Sequence, residues 1–165
     1  MLDPIGWNIV RALQENARLS YAELGRQVGL TAPAVAERMR KLEDTGVITG
    51  YHATVDPAKL GLALPVLIQL GMVQGQTRHV IDVVRALPEV LECYNVTGTA
   101  CFLIKAVLPS RARLEALIEQ LSAYGQTTTM LILSMPVPRR SIGEEALPGR
   151  DCKKRITLLM RLPWT

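Results

Sequence analysis

Residues 20–45 read SYAELGRQVGLTAPAVAERMRKLEDT, and this stretch decides the fold of the first part of the chain. Ser20 stands three residues before Glu23, which is the pattern of a capping box at the start of a helix. Gly29 ends that helix, and a second helix is predicted over Thr31–Thr45. The apolar side chains that recur in it at helical spacing are Val35, Met39 and Leu42. Two short helices joined by a tight turn that contains glycine indicate a helix-turn-helix motif.

Another helix is predicted before this pair. Asp3 and Pro4 suit its cap and first turn, and apolar residues follow at positions 5, 9, 10 and 13. The three helices together predict a helix-turn-helix domain over residues 1–46. Residues 47–61 are predicted to form a strand linker or a wing, because Val47–Val55 is rich in residues that favour strands.

Residues 62–136 alternate between strand and helix patterns in the order β-α-β-β-α-β. The predicted strands are Leu62–Val73, Val90–Thr97, Cys101–Leu108 and Thr127–Met135, and the predicted helices are Thr77–Leu87 and one capped by Ser110. This order predicts a ferredoxin-like domain whose two helices cover one face of an antiparallel sheet. The fold class is therefore α+β, with a winged-type helix-turn-helix domain first. Because the other face of the sheet is partly apolar, a second copy of the chain is expected to cover it.

The composition excludes several classes of protein. Of the 165 residues, 48% are hydrophobic, which excludes wholesale disorder, and the apolar stretch Leu60–Val73 is too short to cross a membrane. The three cysteines form no metal-binding motif, so no metal or cofactor is predicted and a cytoplasmic location is favoured. Two histidines, with no nucleophile motif and no phosphate-binding loop, argue against an enzyme. Residues 137–165 are predicted to be a mobile basic tail, in which Ile156–Leu162 is apolar enough to form a short strand.

Short motifs in the first half of the chain resemble the Lrp/AsnC, or feast/famine, group of prokaryotic transcription regulators. They are Leu13–Ser20, Glu23-Leu24, Val28–Thr31, Val35, Arg38, Leu42-Glu43, Gly46–Ile48 and Gly50-Tyr51. The second half, with Val96-Thr97-Gly98 at its centre, is similar to that group's ligand-binding domain, so the resemblance covers about residues 2–136. It implies a homodimer formed through the sheet and further assembly into tetramers or octamers. It also implies a small molecule, often an amino acid, bound between dimers.

Two positions depart from the pattern of that family. The family commonly carries an acidic residue three positions after the glycine of the Val-Thr-Gly turn, and here that residue is Cys101. A thiol is a weak partner for the ammonium group of an amino acid. The usual acidic residue of the first helix is Gly6, followed by Trp7, which is expected to weaken that helix slightly.

The second helix of a helix-turn-helix enters the major groove of double-stranded DNA. The side chains predicted to face the groove are Thr31, Ala32, Pro33, Ala36, Glu37 and Arg40. Those predicted to contact phosphates are Ser20, Tyr21, Arg26, Arg38 and Lys41, with Arg18 as a further candidate. Structural roles are open for Arg38, which could pair with Glu23 or cap a carbonyl, and for Glu37, which could be solvated. Tyr51 is expected to pack on the linker rather than contact DNA. Because several of the groove residues are small and apolar, base reading is predicted to be sparse and DNA shape to matter.

The resemblance implies a small-molecule site near the turn between the second and third strands and on the last strand. Its candidate residues are Val96, Thr97, Gly98, Thr99, Ala100, Cys101, Thr127, Thr128 and Thr129. The three threonines also fit strand propensity alone, and Cys101 also fits a small buried hydrophobic residue.

These features together predict a sequence-specific DNA-binding transcription regulator that is modulated by an amino acid or another small metabolite bound between dimers. The alternative is a low-specificity architectural protein that coats or wraps DNA and has no effector. A footprint confined to a few palindromic sites would favour the regulator, and uniform coating would favour the architectural role.

Overall fold

The computed structural model describes residues 2–71, 77–137 and 140–146. The chain forms two compact units. The first contains the residues up to Ala53 together with the described residues after Pro136, and the second is Thr54–Pro136.

Three helices build the first unit, and they are α1 (Pro4–Glu15), α2 (Tyr21–Val28) and α3 (Ala32–Asp44). The predicted capping box at the start of α2 is present, and Gly29 ends that helix with a φ of 72°, in the left-handed region. The apolar faces of the helices meet in one core, whose buried members are Ile9, Leu13, Leu24, Val35, Met39 and Leu42. The predicted apolar stripe of α3 is therefore the stripe that the structure buries.

The turn between α2 and α3 depends on a glycine that the sequence pattern did not single out. The Leu30 N–H donates to the Gly25 carbonyl over 2.9 Å. A Cβ atom at Gly25 would lie 2.4 Å from the Leu30 carbonyl oxygen, which is far inside van der Waals contact. Glycine at this position therefore allows the two backbones to approach closely enough for the tight turn.

The segment after α3 corrects one expectation. Residues 47–56, where a wing or linking strand was predicted, adopt no regular secondary structure. A strand needs a partner for its backbone hydrogen bonds, and the described part of this chain pairs no segment with these residues, so strand propensity alone does not produce one. A 3-10 helix at Pro57–Leu60 follows, capped by the Asp56 carboxylate, which accepts from the Ala58 N–H over 3.0 Å.

The second unit is a four-stranded antiparallel sheet with two helices, in the predicted β-α-β-β-α-β order. Its elements are β1 (Leu64–Gly71), α4 (Thr77–Ala86), β2 (Val90–Asn95), β3 (Ala100–Leu108), α5 (Arg111–Ser122) and β4 (Thr127–Leu131). The strands lie in the order β2-β3-β1-β4, so β2 and β4 are the two edges. As predicted, Ser110 caps α5 by accepting from the Arg113 N–H.

The strand β1 begins later than predicted, and β2 and β4 end earlier, whereas β3 begins one residue earlier than predicted, at Ala100. The predicted start of β1 at Leu62 is two residues early because the Leu62 N–H donates to the Pro57 carbonyl and closes the 3-10 helix. The β4 strand ends at Leu131, since its pairing with β1 ends at Val66. Residues 72 and 73 of the predicted first strand lie outside the described residues.

One face of the sheet packs against α4 and α5. The sheet residues buried there are Val66, Ile68, Leu70, Phe102, Ile104, Ala106 and Leu108, and they meet Val80, Val84, Leu114, Leu117 and Leu121 of the helices. The alternate residues point to the other face. That face carries Tyr94 and Met130, with 49% and 37% of their surface exposed, beside the half-buried Leu67 and Leu103. The sheet therefore has one covered face and one partly apolar open face.

The start of the predicted basic tail contacts α1 within the first unit. The Gln14 side-chain amide donates to the Ile142 carbonyl over 3.0 Å and accepts from the Ile142 N–H over 2.7 Å. A short 3-10 helix at Glu144–Ala146 follows. The strand predicted at Ile156–Leu162, and most of the residues predicted to be mobile, lie outside the described residues.

Candidate functional site

The exposed surface of α3 is the first candidate site. Of the residues predicted to face the groove, Thr31, Pro33, Glu37 and Arg40 are exposed, and Ala32 and Ala36 are half-buried. Val35, Met39 and Leu42 point the other way, into the core. The helix therefore presents a polar face with small side chains at its N-terminal end, as a helix that enters a groove requires.

The polar groups of Ser20, at the start of α2, are engaged in the cap of that helix. The Ser20 N–H and hydroxyl donate to the Glu23 carboxylate over 2.7 and 2.6 Å, and the Ser20 hydroxyl accepts from the Glu23 N–H over 3.3 Å. The hydrogen bonds from Ser20 hold the pKa of Glu23 below its usual value. A carboxylate thus occupies the first turn of α2, beside the exposed Tyr21.

Arg38 has a partner that the sequence did not predict. Its Nη1 donates to both carboxylate oxygens of Asp3, over 2.9 and 2.7 Å. The predicted alternatives were Glu23 and a backbone carbonyl, and Glu23 is engaged with Ser20 instead. The pKa of Asp3 is lowered first by the hydrogen bond from the Gly6 N–H and then by Arg38.

Three other basic side chains on or near α3 differ from Arg38 in having no ion pair within the described residues. Arg26, Arg40 and Lys41 are exposed. Within the described residues, none of these three forms an ion pair. They keep their full hydrogen-bonding capacity, so their positive charge is available to an anion from outside the chain.

Tyr51 is tied to the end of α3. Its hydroxyl donates to the Glu43 carboxylate over 2.8 Å. Partial burial, followed by the Glu43 carboxylate, raises the pKa of Tyr51 to about 12. The phenol therefore stays protonated at neutral pH and joins the segment after α3 to the helix.

The predicted effector residues occupy one end of the sheet. The turn from Val96 to Cys101 is closed by a hydrogen bond from the Val96 N–H to the Cys101 carbonyl over 2.9 Å, and Gly98 has a φ of 120°. Thr97, Gly98 and Thr99 are exposed, whereas Val96, Ala100 and Cys101 are half-buried. The turn carries no charged side chain, so its polar groups are hydroxyls, backbone amides and carbonyls.

The threonines of β4 lie at the same end of the sheet but on the far side of β1. Leu70 of β1 pairs with Phe102 of β3 on one side and with Thr127 of β4 on the other. Two strand spacings, roughly 10 Å, therefore separate β3, which follows the turn, from the threonines of β4. Thr127 and Thr129 alternate with Thr128, which faces the open side of the sheet. In one chain, the two halves of the predicted site flank the end of β1.

A cavity of about 440 Å³ lies elsewhere in this unit, between α4 and β2. The residues that line it are Ile81, Val84, Arg85, Val90, Leu91, Glu92, Cys93, Asn95 and Phe102. None of the predicted effector residues is among them. The sequence did not predict this cavity, although Cys93 and Asn95 stand two residues apart on one face of an edge strand, and this spacing could have indicated it.

The described residues provide no group of three or more His, Cys, Asp or Glu side chains arranged to hold a metal ion. Among their helices, none combines the length and the apolar character that a membrane crossing requires.

Comparisons with known proteins decide the family. Residues 2–43 match the model of the AsnC-type helix-turn-helix domain, and residues 66–142 match the model of the Lrp/AsnC ligand binding domain. The chain belongs to the Lrp/AsnC family of transcriptional regulators. The resemblance inferred from the sequence is confirmed, and so is the order of a helix-turn-helix followed by an α+β domain.

Several relatives of this Lrp/AsnC regulator support the same assignment. The HTH-type transcriptional regulator LrpC of Bacillus subtilis is 36% identical over 81% of this chain and 92% of its own length. The solved structure of B. subtilis LrpC has a TM-score of 0.80, with 34% identity over 84% of this chain and 99% of that one. The transcriptional regulator NMB0573 of Neisseria meningitidis, solved as a complex with L-Met, has a TM-score of 0.79 and 28% identity, covering 86% and 96%.

Proposed function

We propose that this Lrp/AsnC regulator binds specific duplex DNA through α3, acts as a homodimer or larger homo-oligomer, and responds to an amino acid or another small metabolite. The observation that carries the DNA-binding part is the division of α3 into two faces. Its apolar face is buried among three helices, while Arg40 and Lys41 stand exposed without ion pairs in the described part of the chain.

The proposed DNA contacts divide into base reading and phosphate binding. Arg40 is the side chain best suited to read a base, because a guanidinium donates two hydrogen bonds to the O6 and N7 atoms of guanine. Arg26, Lys41 and Tyr21 at the start of α2 are proposed to contact phosphates, which position the protein without reading sequence, whereas Ser20 stays engaged with Glu23. Ala32, Pro33 and Ala36 offer apolar contact only, so part of the preference is assigned to DNA shape.

The proposed assembly follows from the open face of the sheet. A surface with Leu67, Leu103, Tyr94 and Met130 on it is stabilised when a second copy covers it. A two-fold dimer presents two copies of α3, and these match half-sites about 34 Å apart, or a multiple of that distance, along the duplex. The preferred target is therefore a palindrome.

The proposed effector is an amino acid or a metabolite of similar size. The complex of NMB0573 with L-Met supports this class of ligand for a relative of similar fold. The turn from Val96 to Cys101 and the threonines at 127–129 are the proposed contacts, with hydroxyls and backbone amides to receive a carboxylate. Because Cys101 offers no charge to an ammonium group, the ligand is proposed to be held mainly through its carboxylate and side chain.

A selection experiment tests the proposal. The full-length protein is incubated with a pool of random duplex DNA, and bound sequences are enriched and read. The expected result is a palindromic motif, bound by the wild-type protein at least tenfold more tightly than a scrambled duplex of the same length. Absence of enrichment would contradict sequence-specific regulation and would favour the architectural alternative.

A charge-matched pair of variants then assigns the contact to α3. Arg40→Ala is expected to weaken binding to the enriched duplex by about 1–3 kcal/mol and to relax selection at one position of the motif. Arg111→Ala removes the same charge from α5, where the side chain is 89% exposed in a pair with Glu115, and is expected to leave binding unchanged. Equal losses from the two variants would contradict an interface centred on α3.

A further inference from the structure

The Asp3 carboxylate joins the first helix to the recognition helix. It caps α1, because Oδ1 accepts from the Gly6 N–H over 2.9 Å. The same carboxylate accepts two hydrogen bonds from Arg38, which lies 35 positions later in the chain. The Asp3 side chain therefore serves as the cap of α1 and as the ion-pair partner of Arg38 on α3. Through this carboxylate, the position of α1 and the position of α3 depend on each other.

Gly6 makes room for this arrangement. A Cβ atom at position 6 would lie 2.8 Å from Asp3 Oδ1 and 3.2 Å from a Leu2 methyl carbon. Capped helices ordinarily accept a side chain at this third position, as the capping box with Glu shows. Both close atoms belong to side chains that can turn aside, so an alanine at position 6 is expected to displace the Asp3 carboxylate from the place where it holds Arg38. This gives a physical reason for a glycine where the family usually has an acidic residue.

Arg38 differs from the other cations of α3 in its surroundings. It lies on the flank of the helix, with 36% of its side chain exposed and its Nη1 atom occupied by Asp3. Arg40 and Lys41 lie on the exposed side of the same helix and have no ion pair within the described residues. Arg38 and Lys41 both line a groove of about 850 Å³ that extends from Asp3 and Gly6 along α3 to Thr45, and of the two only Arg38 is paired with Asp3.

We propose that Asp3, Gly6 and Arg38 form a clamp that sets how α3 lies against α1, and that Arg38 supports DNA binding through this clamp rather than by contacting a phosphate. The inference rests on the proposed function, in which α3 binds DNA. Asp3 and Arg38 are positioning residues. The phosphate-binding role on these helices then falls to Arg26 and Lys41, while Arg40 keeps its proposed role in base reading.

The sign of one substitution separates the clamp from simple electrostatics. Asp3→Asn removes a negative charge from a DNA-binding domain, which on charge alone strengthens binding to DNA. Asn caps a helix about as well as Asp, so α1 keeps its cap. The clamp predicts the opposite result, because the loss of the ion pair frees Arg38 and lets α3 shift against α1.

The test measures affinity for the enriched duplex as a function of salt, in the full-length protein. Asp3→Asn and Arg38→Gln are each expected to weaken binding about fivefold at fixed salt. In both variants the slope of log affinity against log salt is expected to stay at the wild-type value, since no phosphate contact is lost. The double variant is expected to bind no more weakly than Arg38→Gln alone, because both changes break the same clamp. Gly6→Ala is expected to reproduce part of the loss.

Lys41→Ala serves as the control for the underlying function, because Lys41 is the proposed phosphate contact on α3, and it is expected to lower that slope by about 0.9. A drop of about 0.9 in the slope for Arg38→Gln, with affinity kept or increased in Asp3→Asn, would overturn the clamp and assign Arg38 to a phosphate. Unchanged affinity in both clamp variants would overturn it as well. If Arg40→Ala leaves the affinity unchanged and Lys41→Ala leaves the slope unchanged, the DNA-binding role of α3 itself fails, which is a separate result. Thermal unfolding curves of each variant confirm that the comparison is made between folded proteins.

Discussion

The two units of the chain differ in where their charged side chains stand relative to their candidate sites. In the helical unit, Arg40 and Lys41 project from the recognition helix, while Asp3, Glu23 and Glu43 are each occupied by a neighbouring group. In the sheet unit, the predicted effector turn carries no charged side chain. This turn and the threonines of β4 lie on either side of the end of β1. A single chain therefore presents exposed positive charge suited to an anion such as DNA, whereas its predicted effector residues offer only neutral groups on either side of β1.

The largest effect is expected from a core change that weakens the sheet unit. Leu117→Ala deletes a side chain that is fully buried between α5 and the sheet. The expected loss is about 2–5 kcal/mol in the free energy of unfolding of that unit, from lost burial and the cavity left behind. Calorimetry of the full chain measures it.

Ala116→Gly is the control for Leu117→Ala, because it changes an exposed residue on the same helix. This control is expected to cost about 1 kcal/mol from helix propensity alone. A Leu117→Ala loss no larger than that of the control would contradict the assignment of α5 to the core.

The helical unit is expected to respond to a single added methyl group in its tight turn. Gly25→Ala places a Cβ against the Leu30 carbonyl, so the turn between α2 and α3 must open. The expected cost is about 1–3 kcal/mol of stability. Binding to the enriched duplex is expected to fall at least tenfold, because α3 loses its fixed angle to α2. Fluorescence anisotropy measures the binding.

Assembly provides the control for that variant. Sedimentation is expected to give the wild-type oligomer for Gly25→Ala, since assembly is assigned to the sheet unit. Loss of both DNA binding and assembly would mean that the two units do not divide their functions as described.

The neutral character of the effector turn is tested by adding a carboxylate. Cys101→Asp restores the acidic group that the family commonly carries, and it is expected to tighten amino-acid binding about tenfold through the ammonium group. A panel of the twenty amino acids, read by the rise in melting temperature with ligand, measures the change.

The second free cysteine provides a matched control. Cys93→Asp makes the same change at the exposed cysteine that lines the cavity beside α4. Tighter amino-acid binding in Cys93→Asp, with no change in Cys101→Asp, would assign the ligand to that cavity and not to the turn.

The smallest effect concerns acid stability of the sheet unit. The Glu89 carboxylate accepts a hydrogen bond from the Arg113 guanidinium, which holds the pKa of Glu89 below its usual 4.5. The stabilisation is complete above about pH 4.5 and is lost as the pH falls through the lowered value, because protonation removes the ion pair. Melting temperature against pH measures it, with Glu89→Gln expected to show a flatter profile below pH 4.5. A steeper fall in the variant would contradict the direction given for the pKa.

Local signals in the sequence predicted the elements well. The capping box at Ser20, the glycine at position 29 and the stripe on α3 act within a few residues of each other, so their consequences can be read directly from the chain. The order of strands and helices in the second unit followed from alternating periodicities, and only the element ends differed by a few residues.

The failures concern pairings between distant residues. The predicted wing or linking strand at residues 47–55 did not form, since a strand exists only where a partner accepts its hydrogen bonds. The sequence predicted a phosphate contact for Arg38 and left Glu23 or a backbone carbonyl open as partners. The structure pairs it with Asp3 instead, because α1 and α3 share one core. The separation of the effector turn from Thr127–Thr129 depends on β1 lying between β3 and β4, which no local pattern specifies.

The most direct test of the account is methylation interference on the enriched duplex. Methyl groups at guanine N7 block the major-groove contact that a guanidinium makes there. The account predicts that methylation of one guanine in each half-site prevents binding of the wild-type protein and has no further effect on Arg40→Ala. Interference that persists unchanged in Arg40→Ala, or that appears at no guanine of the motif for the wild-type protein, would contradict base reading by Arg40 on α3.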